Sequence, residues 1–227
     1  MIRLGNIDYS NCYPIHGPVL ERDRPPWLRV IDGPPADLNR RLALGELDVA
    51  PGSSIELARH YREYTGLQGL CIGSVGPVES IVLVSHAPLD ELAGCVVALP
   101  TASASSRCLL RIILELRFDI RPSWMDFDQS ARDPLDPAPV EPAAELSGVE
   151  SPASAALFIG DIALRRPIRE GELRYDLGEL WTEWTGLPFV YALWMVRNEV
   201  ADSREIHALH RRFLSHRDLL PGGFADL

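Results

Sequence analysis

The chain has 227 residues, 46% of them hydrophobic and 24% charged, which suits a folded protein of one large or two small domains. Its net charge of −10 argues against nucleic acid or an anionic membrane as the main partner, so an anionic ligand needs local hydrogen-bond donors. All 22 basic residues are arginines, and the absence of lysine excludes pyridoxal phosphate chemistry, lysine-dependent aldolases and a Walker A loop.

Strand and helix patterns alternate from the start of the chain. Residues 36–44 place apolar side chains at helical spacing, and Gly45 is a plausible stop. The segment "ELDVA" predicts a short buried strand. Ser53 with Glu56 three residues later forms a capping-box pattern, which predicts a helix over about 54–64.

The middle of the chain continues the alternation and is then interrupted. Residues 67–84 hold two strand-like runs broken by glycines and a proline, and 95–100 predicts a buried strand. An apolar helix over about 104–117 follows. Residues 129–153 are rich in proline, which predicts a surface excursion.

The last third returns to strands and helices. Residues 155–164 predict a buried strand that runs directly into a helix, and a β-rich run extends from 189 to 196. Asp202 is the predicted cap of a last amphipathic helix, 203–216. Such alternation predicts an α/β fold with largely parallel sheets, whose ligands bind at the carboxyl ends of the strands.

Four polar loops each follow a predicted strand: 8–13, Ser53–Ser54, 101–106 and Gly160–Asp161. The second and third open helices, where unpaired backbone N–H groups and the helix dipole favour a carboxylate or phosphate. The alternative is that the hydroxyls only cap helices, and Asp161 is likewise a cap or a site group. Two such loops in an acidic chain favour a small organic anion as ligand.

We expect no metal and no organic cofactor. The four cysteines have no C-x-x-C spacing, and neither a nucleophile elbow nor a dinucleotide fingerprint is present. Without a signal-peptide pattern or an apolar run of ~18–20 residues, the sequence predicts a cytoplasmic protein with reduced thiols and no membrane segment. The residues alone therefore predict a cofactor-free, two-lobed α/β protein that is either an enzyme or a binding protein.

Five segments, in order, resemble the chorismate dehydratase family of the futalosine route to menaquinone: "RLGNIDYSNCYPI", "LNRRLALGELDVAPGSSIELA", "GPVESIVLVS", "ALFIGDIAL" and "YDLGELWTEWTGLPFVYALW". The resemblance extends from residue 3 to about 197, apart from the Pro-rich stretch. It implies a periplasmic-binding-protein-like fold of type II, with two lobes and a ligand cleft between them. We expect residues 1–84 and 192–227 in lobe 1 and 85–191 in lobe 2.

The resemblance also implies elimination of water from chorismate, giving 3-[(1-carboxyvinyl)oxy]benzoate without a cofactor. It implies that Asn11 in D-Y-x-N and Ser80 in V-x-S lie near the reacting centre. Neither is a general base at neutral pH, so we hypothesise that the enolpyruvyl carboxylate of the substrate takes the proton. Family placement and helix-end physics together predict these substrate-binding residues, with Arg107 as a further option: Ser53, Ser54, Thr101, Ser105, Ser106, Gly160, Asp161, Thr185 and Gly186.

Two other classes of function stay open. The related 1,4-dihydroxy-6-naphthoate synthase shares the implied fold, but its opening loop reads S-P-C-P-N-D, and "DYSNCYP" differs from it. A transporter's solute-binding protein or a regulator's effector domain would bind a small anion without turning it over. We expect an export signal in the former and a DNA-binding segment in the latter, and see neither in this sequence.

Overall fold

The fold is described from a computed structural model, which covers residues 1–7, 9, 12–136 and 153–219. The predicted catalytic residue Asn11 and most of the Pro-rich stretch lie outside the described residues. The chain forms two compact units. The first comprises Met1–Ser74, Ala102–Ser105 and Pro188–Leu227, and the second comprises Val75–Thr101 and Ser106–Leu187.

The first unit is built on a five-stranded sheet with the order β2–β1–β3–β10–β4. Strands β2 and β3 run parallel to β1, whereas β10 runs antiparallel to both of its neighbours, β3 and β4. With elements numbered along the whole chain, its strands are β1 (Ile2–Asn6), β2 (Leu28–Asp32), β3 (Val49–Ser53), β4 (Tyr64–Ser74) and β10 (Phe189–Arg197). Its helices are α1 (Tyr13–Glu21), α2 (Pro35–Ala43), α3 (Ser54–Arg59), α7 (Asn198–Ala201) and α8 (Arg204–Asp218).

The second unit has a five-stranded sheet with the order β7–β6–β8–β5–β9. Strand β6 runs parallel to β7 and β8, whereas β5 runs antiparallel to β8 and β9. The strands are β5 (Ile81–Ser85), β6 (Val96–Pro100), β7 (Ser123–Phe127), β8 (Ala155–Ile159) and β9 (Leu173–Asp176). The remaining helices are α4 (Ala104–Ile112), which continues as a π-helical turn over Ile113–Arg117, α5 (Gly160–Arg165) and α6 (Leu177–Thr185).

The sheet of the first unit is covered on both faces. Along β10, Trp194 and Val196 belong to one buried cluster, which includes Phe213 of α8. Met195 points to the opposite face and belongs to a second cluster, with Leu38 of α2. This alternation follows from the two-residue period of a strand, and it explains why β10 is apolar at nearly every position.

The predicted largely parallel sheets are wrong, because each sheet is mixed. A continuous apolar run is the pattern expected of a parallel strand buried on both faces. Strand β5 is buried at all five positions, yet it is antiparallel to both neighbours. Burial on both faces therefore produced the apolar run, and the run carried no information about direction.

The helix predicted over 54–64 is shorter than expected. Helix α3 ends at Arg59, and Ser53 makes no side-chain cap hydrogen bond, so the predicted capping box is absent. The Glu56 carboxylate instead accepts a hydrogen bond from Arg59 Nη1 at 2.8 Å. The capping-box pattern thus predicted the correct first residue of α3, although the capping box itself does not form.

The predicted N-cap of the last helix is also wrong. Helix α8 begins at Arg204, and its N-cap is Ser203, one residue after the predicted Asp202. The Ser203 hydroxyl accepts a hydrogen bond from the Ile206 N–H at 3.3 Å. Asp and Ser are equally good N-caps, so adjacent candidates cannot be separated by residue type alone.

Candidate functional site

Four residues of the second unit lie along one edge of its sheet, where β6, β8 and β9 end and β5 begins. Strands β6 and β8 are parallel, so Thr101 and Gly160, which follow them, lie at the same edge. Strand β5 is antiparallel to β8, so Ser80, which precedes β5, lies there too. Strand β9 is antiparallel to β5 and ends at this edge with Asp176. The strand directions therefore gather three predicted site residues and one that was not predicted.

Ser80 is held through its backbone. Its carbonyl oxygen accepts a hydrogen bond from the Gly160 N–H at 2.7 Å, beside the paired residues Ile81 and Ile159. Gly160 has a φ of 62°, a left-handed value that a residue with a Cβ rarely adopts. Because backbone atoms hold the loop, the Ser80 hydroxyl is not needed for that purpose.

The turn before Ser80 is strained and is fixed by a buried carboxylate. Glu79 has a φ of 61°, and the Ser80 N–H donates to the Val78 carbonyl at 2.6 Å. The Asp176 carboxylate accepts hydrogen bonds from the Val78 and Glu79 N–H groups at 3.0 and 2.6 Å. The sequence signal at Asp176 was only that of a helix cap, so its contact with the Ser80 loop was missed.

Some groups of the loop after β6 are buried or already hydrogen-bonded within the protein. The Thr101 N–H donates to the Phe127 carbonyl at 3.0 Å, while its side chain is exposed at the sheet edge. Ser106 is only 1% exposed, within α4. Arg107 donates to Asp126 Oδ1 at 2.6 Å. Thr101 is therefore a residue of this loop with an exposed side chain.

The remaining predicted residues of the second unit lie on α5 and at the end of α6. Asp161 is in the first turn of α5 but is not its N-cap, and it lies 3.5 Å from Arg165 in an exposed ion pair. The Thr185 hydroxyl donates to the Trp181 carbonyl at 2.8 Å. Gly186 ends α6 with a φ of 70°. Thr185 and Gly186 thus terminate a helix, and their role in binding stays a prediction.

In the first unit, two predicted residues far apart in sequence are in contact. The Ser54 and Ser105 hydroxyl oxygens are 2.9 Å apart, and Ser54 Oγ also donates to the Val190 carbonyl at 2.7 Å. Ser105 Oγ accepts from the Ile55 N–H at 3.1 Å. Ser105, rather than Ser53, therefore supplies the side-chain cap of α3.

The proton positions in this serine pair follow from the partners. Ser54 gives its hydroxyl proton to the Val190 carbonyl, so the hydrogen bond between the two serines uses the proton of Ser105. Both hydroxyl protons are thus engaged. A carboxylate bound by Ser54 or Ser105 would have to replace one of these hydrogen bonds, and the predicted binding role stays a prediction.

Cys12, which directly follows Asn11 in the sequence, is buried. Asn11 itself lies outside the described residues. Cys12 is 1% exposed, and its N–H donates to the Tyr9 carbonyl at 3.0 Å. Burial raises the pKa of the Cys12 thiol to about 12, so the thiol stays neutral at physiological pH and packs in the core.

A buried histidine, for which the sequence offered no partner, lies directly after this loop. Trp194 Nε1–H donates to His16 Nε2 at 2.7 Å, which places the imidazole proton on Nδ1, 2.8 Å from Asn6 Oδ1. The Asn6 amide in turn donates to Asp32 Oδ1 at 2.8 Å. Burial lowers the pKa of His16 to about 4, so the ring is neutral. This network fixes the end of β1 from which the loop emerges.

The groups at these strand ends can orient a polar ligand. Hydroxyls and backbone N–H groups donate hydrogen bonds, as required for a carboxylate or a sugar-like hydroxyl. Within the described part of the chain, no group of three His, Cys, Asp or Glu residues is placed to hold a metal ion. In the same residues, no helix is both long and apolar enough to cross a membrane.

Comparison with known sequences gives two related findings. A family model described as "Menaquinone biosynthesis" matches residues 2–219. The chorismate dehydratase of Thermus thermophilus is 32% identical over 217 residues, which cover 86% of this chain and 70% of that protein.

Comparison with solved structures confirms the predicted fold class. A protein of Archaeoglobus fulgidus matches with a TM-score of 0.65 at 20% identity, covering 96% of this chain and 74% of that one. The periplasmic aliphatic sulphonate binding protein of Escherichia coli matches with a TM-score of 0.58 at 15% identity, covering 96% and 72%. At such identities the likeness concerns the fold alone, which is α/β and like that of periplasmic binding proteins.

Proposed function

Because this chain belongs to the menaquinone biosynthesis family, we propose that it is a chorismate dehydratase, a hydro-lyase that converts chorismate to 3-[(1-carboxyvinyl)oxy]benzoate. The observation that carries this proposal is the 32% identity with the Thermus thermophilus enzyme over most of the chain. The sheet edge around Ser80 supports it, because it offers the hydrogen-bond donors that a polar anion needs.

The reaction can proceed without a cofactor. A proton leaves the carbon that bears the enolpyruvyl ether, and the charge spreads onto the ring carboxylate, which is vinylogous to that carbon. The neighbouring hydroxyl then departs, and the ring becomes aromatic. Proton and hydroxide leave together as water, so no oxidant or reductant is consumed. The task of the protein is therefore to orient the substrate and stabilise developing charge.

Ser80 and Asn11 are the proposed catalytic residues. A serine hydroxyl and an amide can hold the enolpyruvyl carboxylate and the departing hydroxyl, but neither takes a proton readily at neutral pH. We therefore assign proton removal to the enolpyruvyl carboxylate of the substrate. The assignment of Asn11 rests on the D-Y-x-N resemblance, whereas the backbone contacts that hold Ser80 add a physical reason for its placement.

The substrate is a dianion and the chain carries a net charge of −10, so binding has to come from local donors. Thr101 is the strongest candidate, because its side chain is exposed at the sheet edge that also holds Ser80. We also propose a cytoplasmic location, supported by four free cysteines that suit a reducing compartment.

The test is incubation of the purified protein with chorismate, without added metal or cofactor and with a chelator present. We expect chorismate to disappear and the aromatic ether to form, followed by liquid chromatography. Ser80→Ala and Asn11→Ala should each lower kcat by about 100-fold or more, as is typical when a group that stabilises the transition state is removed. Ser130→Ala, at an exposed serine of the same unit, is the matched control and should leave turnover unchanged.

Other outcomes separate the alternatives. Binding of chorismate without turnover would favour a solute-binding protein or an effector domain. Chorismate that is neither bound nor consumed would favour the related naphthoate synthase activity. Near-normal turnover in both alanine variants would leave the activity standing but remove Ser80 and Asn11 from the reacting centre.

A further inference from the structure

The three residues before β5 form a turn of high energy. The Ser80 N–H donates to the carbonyl two residues earlier, at 2.6 Å, and the residue between them has a φ of 61°. A turn of this form, closed by an i to i+2 hydrogen bond around a left-handed residue, is rare and strained. The residue is a glutamate rather than a glycine, so the surrounding structure has to hold the conformation.

A single carboxylate supplies that restraint. Asp176 is 5% exposed and accepts four backbone N–H hydrogen bonds. Its Oδ1 atom accepts from Val78 at 3.0 Å, and from Gly178 and Glu179 at 2.9 and 3.1 Å. Among the residues that the structure describes, only Glu79 donates to its Oδ2 atom, at 2.6 Å. One oxygen therefore caps α6, and the other is dedicated to the strained residue.

Two further contacts complete the hold on the turn. Arg174 Nη2 donates to the Glu79 carbonyl at 2.9 Å, and the Gly160 N–H donates to the Ser80 carbonyl at 2.7 Å. The peptide groups on both sides of Ser80 are thus fixed, which fixes the direction of its Cα–Cβ bond. An error of about 1 Å in such a group can cost about 100-fold in rate.

We propose that Asp176 is a positioning residue, which holds the strained turn at Glu79 and so directs the Ser80 hydroxyl toward the substrate. This proposal rests on the proposed function, in which Ser80 contacts the reacting molecule. Asp176 itself does not contact the substrate, and its effect on turnover passes through Ser80.

Because Oδ1 caps α6 and Oδ2 holds Glu79, one substitution can disturb the turn at Glu79 while it keeps the cap of α6. Asp176→Asn retains one carbonyl oxygen for the α6 cap and puts an NH₂ group opposite the Glu79 N–H, where two donors then face each other. The control is Ser203→Ala, which removes the side-chain cap of α8 in the other unit without touching the Ser80 loop. Arg174→Met is a milder second variant on the same turn, and it serves if Asp176→Asn does not fold.

We expect Asp176→Asn to lower kcat by about 10- to 100-fold with a smaller change in KM, and Arg174→Met to lower it by about 2- to 5-fold. In a Ser80→Ala background both substitutions should have an effect of less than about twofold, because the group they position is gone. Ser203→Ala should lower the thermal midpoint by a few degrees and leave kcat unchanged. Amide exchange of the 76–81 peptide, measured without substrate, should be faster in Asp176→Asn than in the parent protein.

Two results would overturn the proposal: wild-type exchange of the 76–81 peptide in Asp176→Asn, or an equal loss of kcat with and without the Ser80 hydroxyl. The second would mean that Asp176 acts on the fold as a whole. If the unaltered protein does not dehydrate chorismate, the proposed function fails. The exchange measurement still decides whether Asp176 holds the turn.

Discussion

Each unit buries a polar network around one residue, His16 in the first and Arg166 in the second, and these two networks differ in character. In the first unit the network is neutral at its centre, because Trp194 donates to His16 and His16 donates to Asn6. In the second unit it is charged, since Arg166 donates to Glu172 at 2.6 and 2.9 Å and to Asp133 at 2.8 Å. The side chain of Glu172 is 0% exposed and that of Arg166 is 7% exposed. The two networks thus use different kinds of hydrogen bond.

The difference gives each unit its own response to acid. Burial lowers the pKa of His16 from 6.5 to about 4, so its contribution is complete above pH 6.5 and is lost as the pH falls through about 4. Hydrogen bonds from Arg166 lower the pKa of Glu172 from 4.5 to about 2, so its contribution is complete above pH 4.5 and is lost as the pH falls through about 2. Acid should therefore weaken the network around His16 before the network around Glu172.

The largest effect is expected when the charged network is broken. Arg166→Met retains a side chain that can pack on Phe158, but leaves the carboxylates of Glu172 and Asp133 without their main partner. Removing one partner of a buried ion pair typically costs about 3–5 kcal/mol. Urea unfolding at neutral pH, followed by circular dichroism, measures the loss in free energy of unfolding.

Arg59→Met is the matched control for this loss. Arg59 pairs with Glu56 at 2.8 Å, but its side chain is 59% exposed. An exposed pair of this kind is worth less than about 1 kcal/mol. If both arginine variants lose the same small amount, the second unit does not depend on its charged interior and the contrast between the units disappears.

An intermediate effect is expected from the neutral network. In the variant His16→Gln, the side-chain amide can accept a hydrogen bond from Trp194 and donate one to Asn6 as the imidazole does, but it does not titrate. The wild-type protein should lose stability between pH 6.5 and 4.5, because the unfolded chain gains a proton on His16 that the folded chain does not take up. At pH 4, the difference between the unfolded and folded pKa values of His16 corresponds to a loss of roughly 3 kcal/mol in the free energy of unfolding.

His16→Gln should flatten this part of the pH profile, which is measured by thermal unfolding at a series of pH values. The window above pH 4.5 is chosen because the contribution of Glu172 is already complete there and does not change with pH. His210, a partly exposed histidine whose Nε2 lies 2.8 Å from the Gln68 carbonyl, supplies the control His210→Gln. A slope that survives in His16→Gln would assign the acid sensitivity to other groups.

Local patterns in the sequence located most of the strands that build the site. The apolar runs predicted β5, β6 and β8 and the first residues of β3, and Gly160 was placed directly after a strand. Ser80 was predicted inside a strand-like run, whereas it directly precedes β5. Helix α1 was not predicted, since Pro14 and Pro18 lower helix propensity. Pro14 is tolerated because it lies in the first turn, where its missing N–H is not required.

Long-range hydrogen bonds could not be predicted, and they carry the detail of the site. Ser105 caps α3 across 50 residues of sequence, and Asp176 binds the Glu79 N–H across 97. The capping-box pattern at Ser53 is a short-range signal, but the side chain that caps α3 is that of the distant Ser105. Residue spacing cannot reveal such partners, because strand order and direction decide which loops meet.

The smallest expected effect concerns strain, which also distinguishes the units. Glu79 and Asp119 have φ values of 61° and 54°, and these described non-glycine residues with positive φ both belong to the second unit. At an ordinary position, alanine is more stable than glycine by roughly 0.5–1 kcal/mol. At a left-handed position the order reverses, because a Cβ costs about 1–2 kcal/mol there. Glu79→Gly should therefore be more stable than Glu79→Ala by about 1 kcal/mol.

Urea unfolding of the two variants measures this difference, and the pair Asp119→Gly and Asp119→Ala is the control. The same reversal is expected at Asp119, which is exposed and outside the Ser80 loop. Only the Glu79 pair should also differ in turnover, because glycine releases the restraint on the turn while alanine keeps it. An alanine variant at least as stable as the glycine variant would mean that the turn does not hold its left-handed residue in solution, and the positioning of Ser80 would then need another cause.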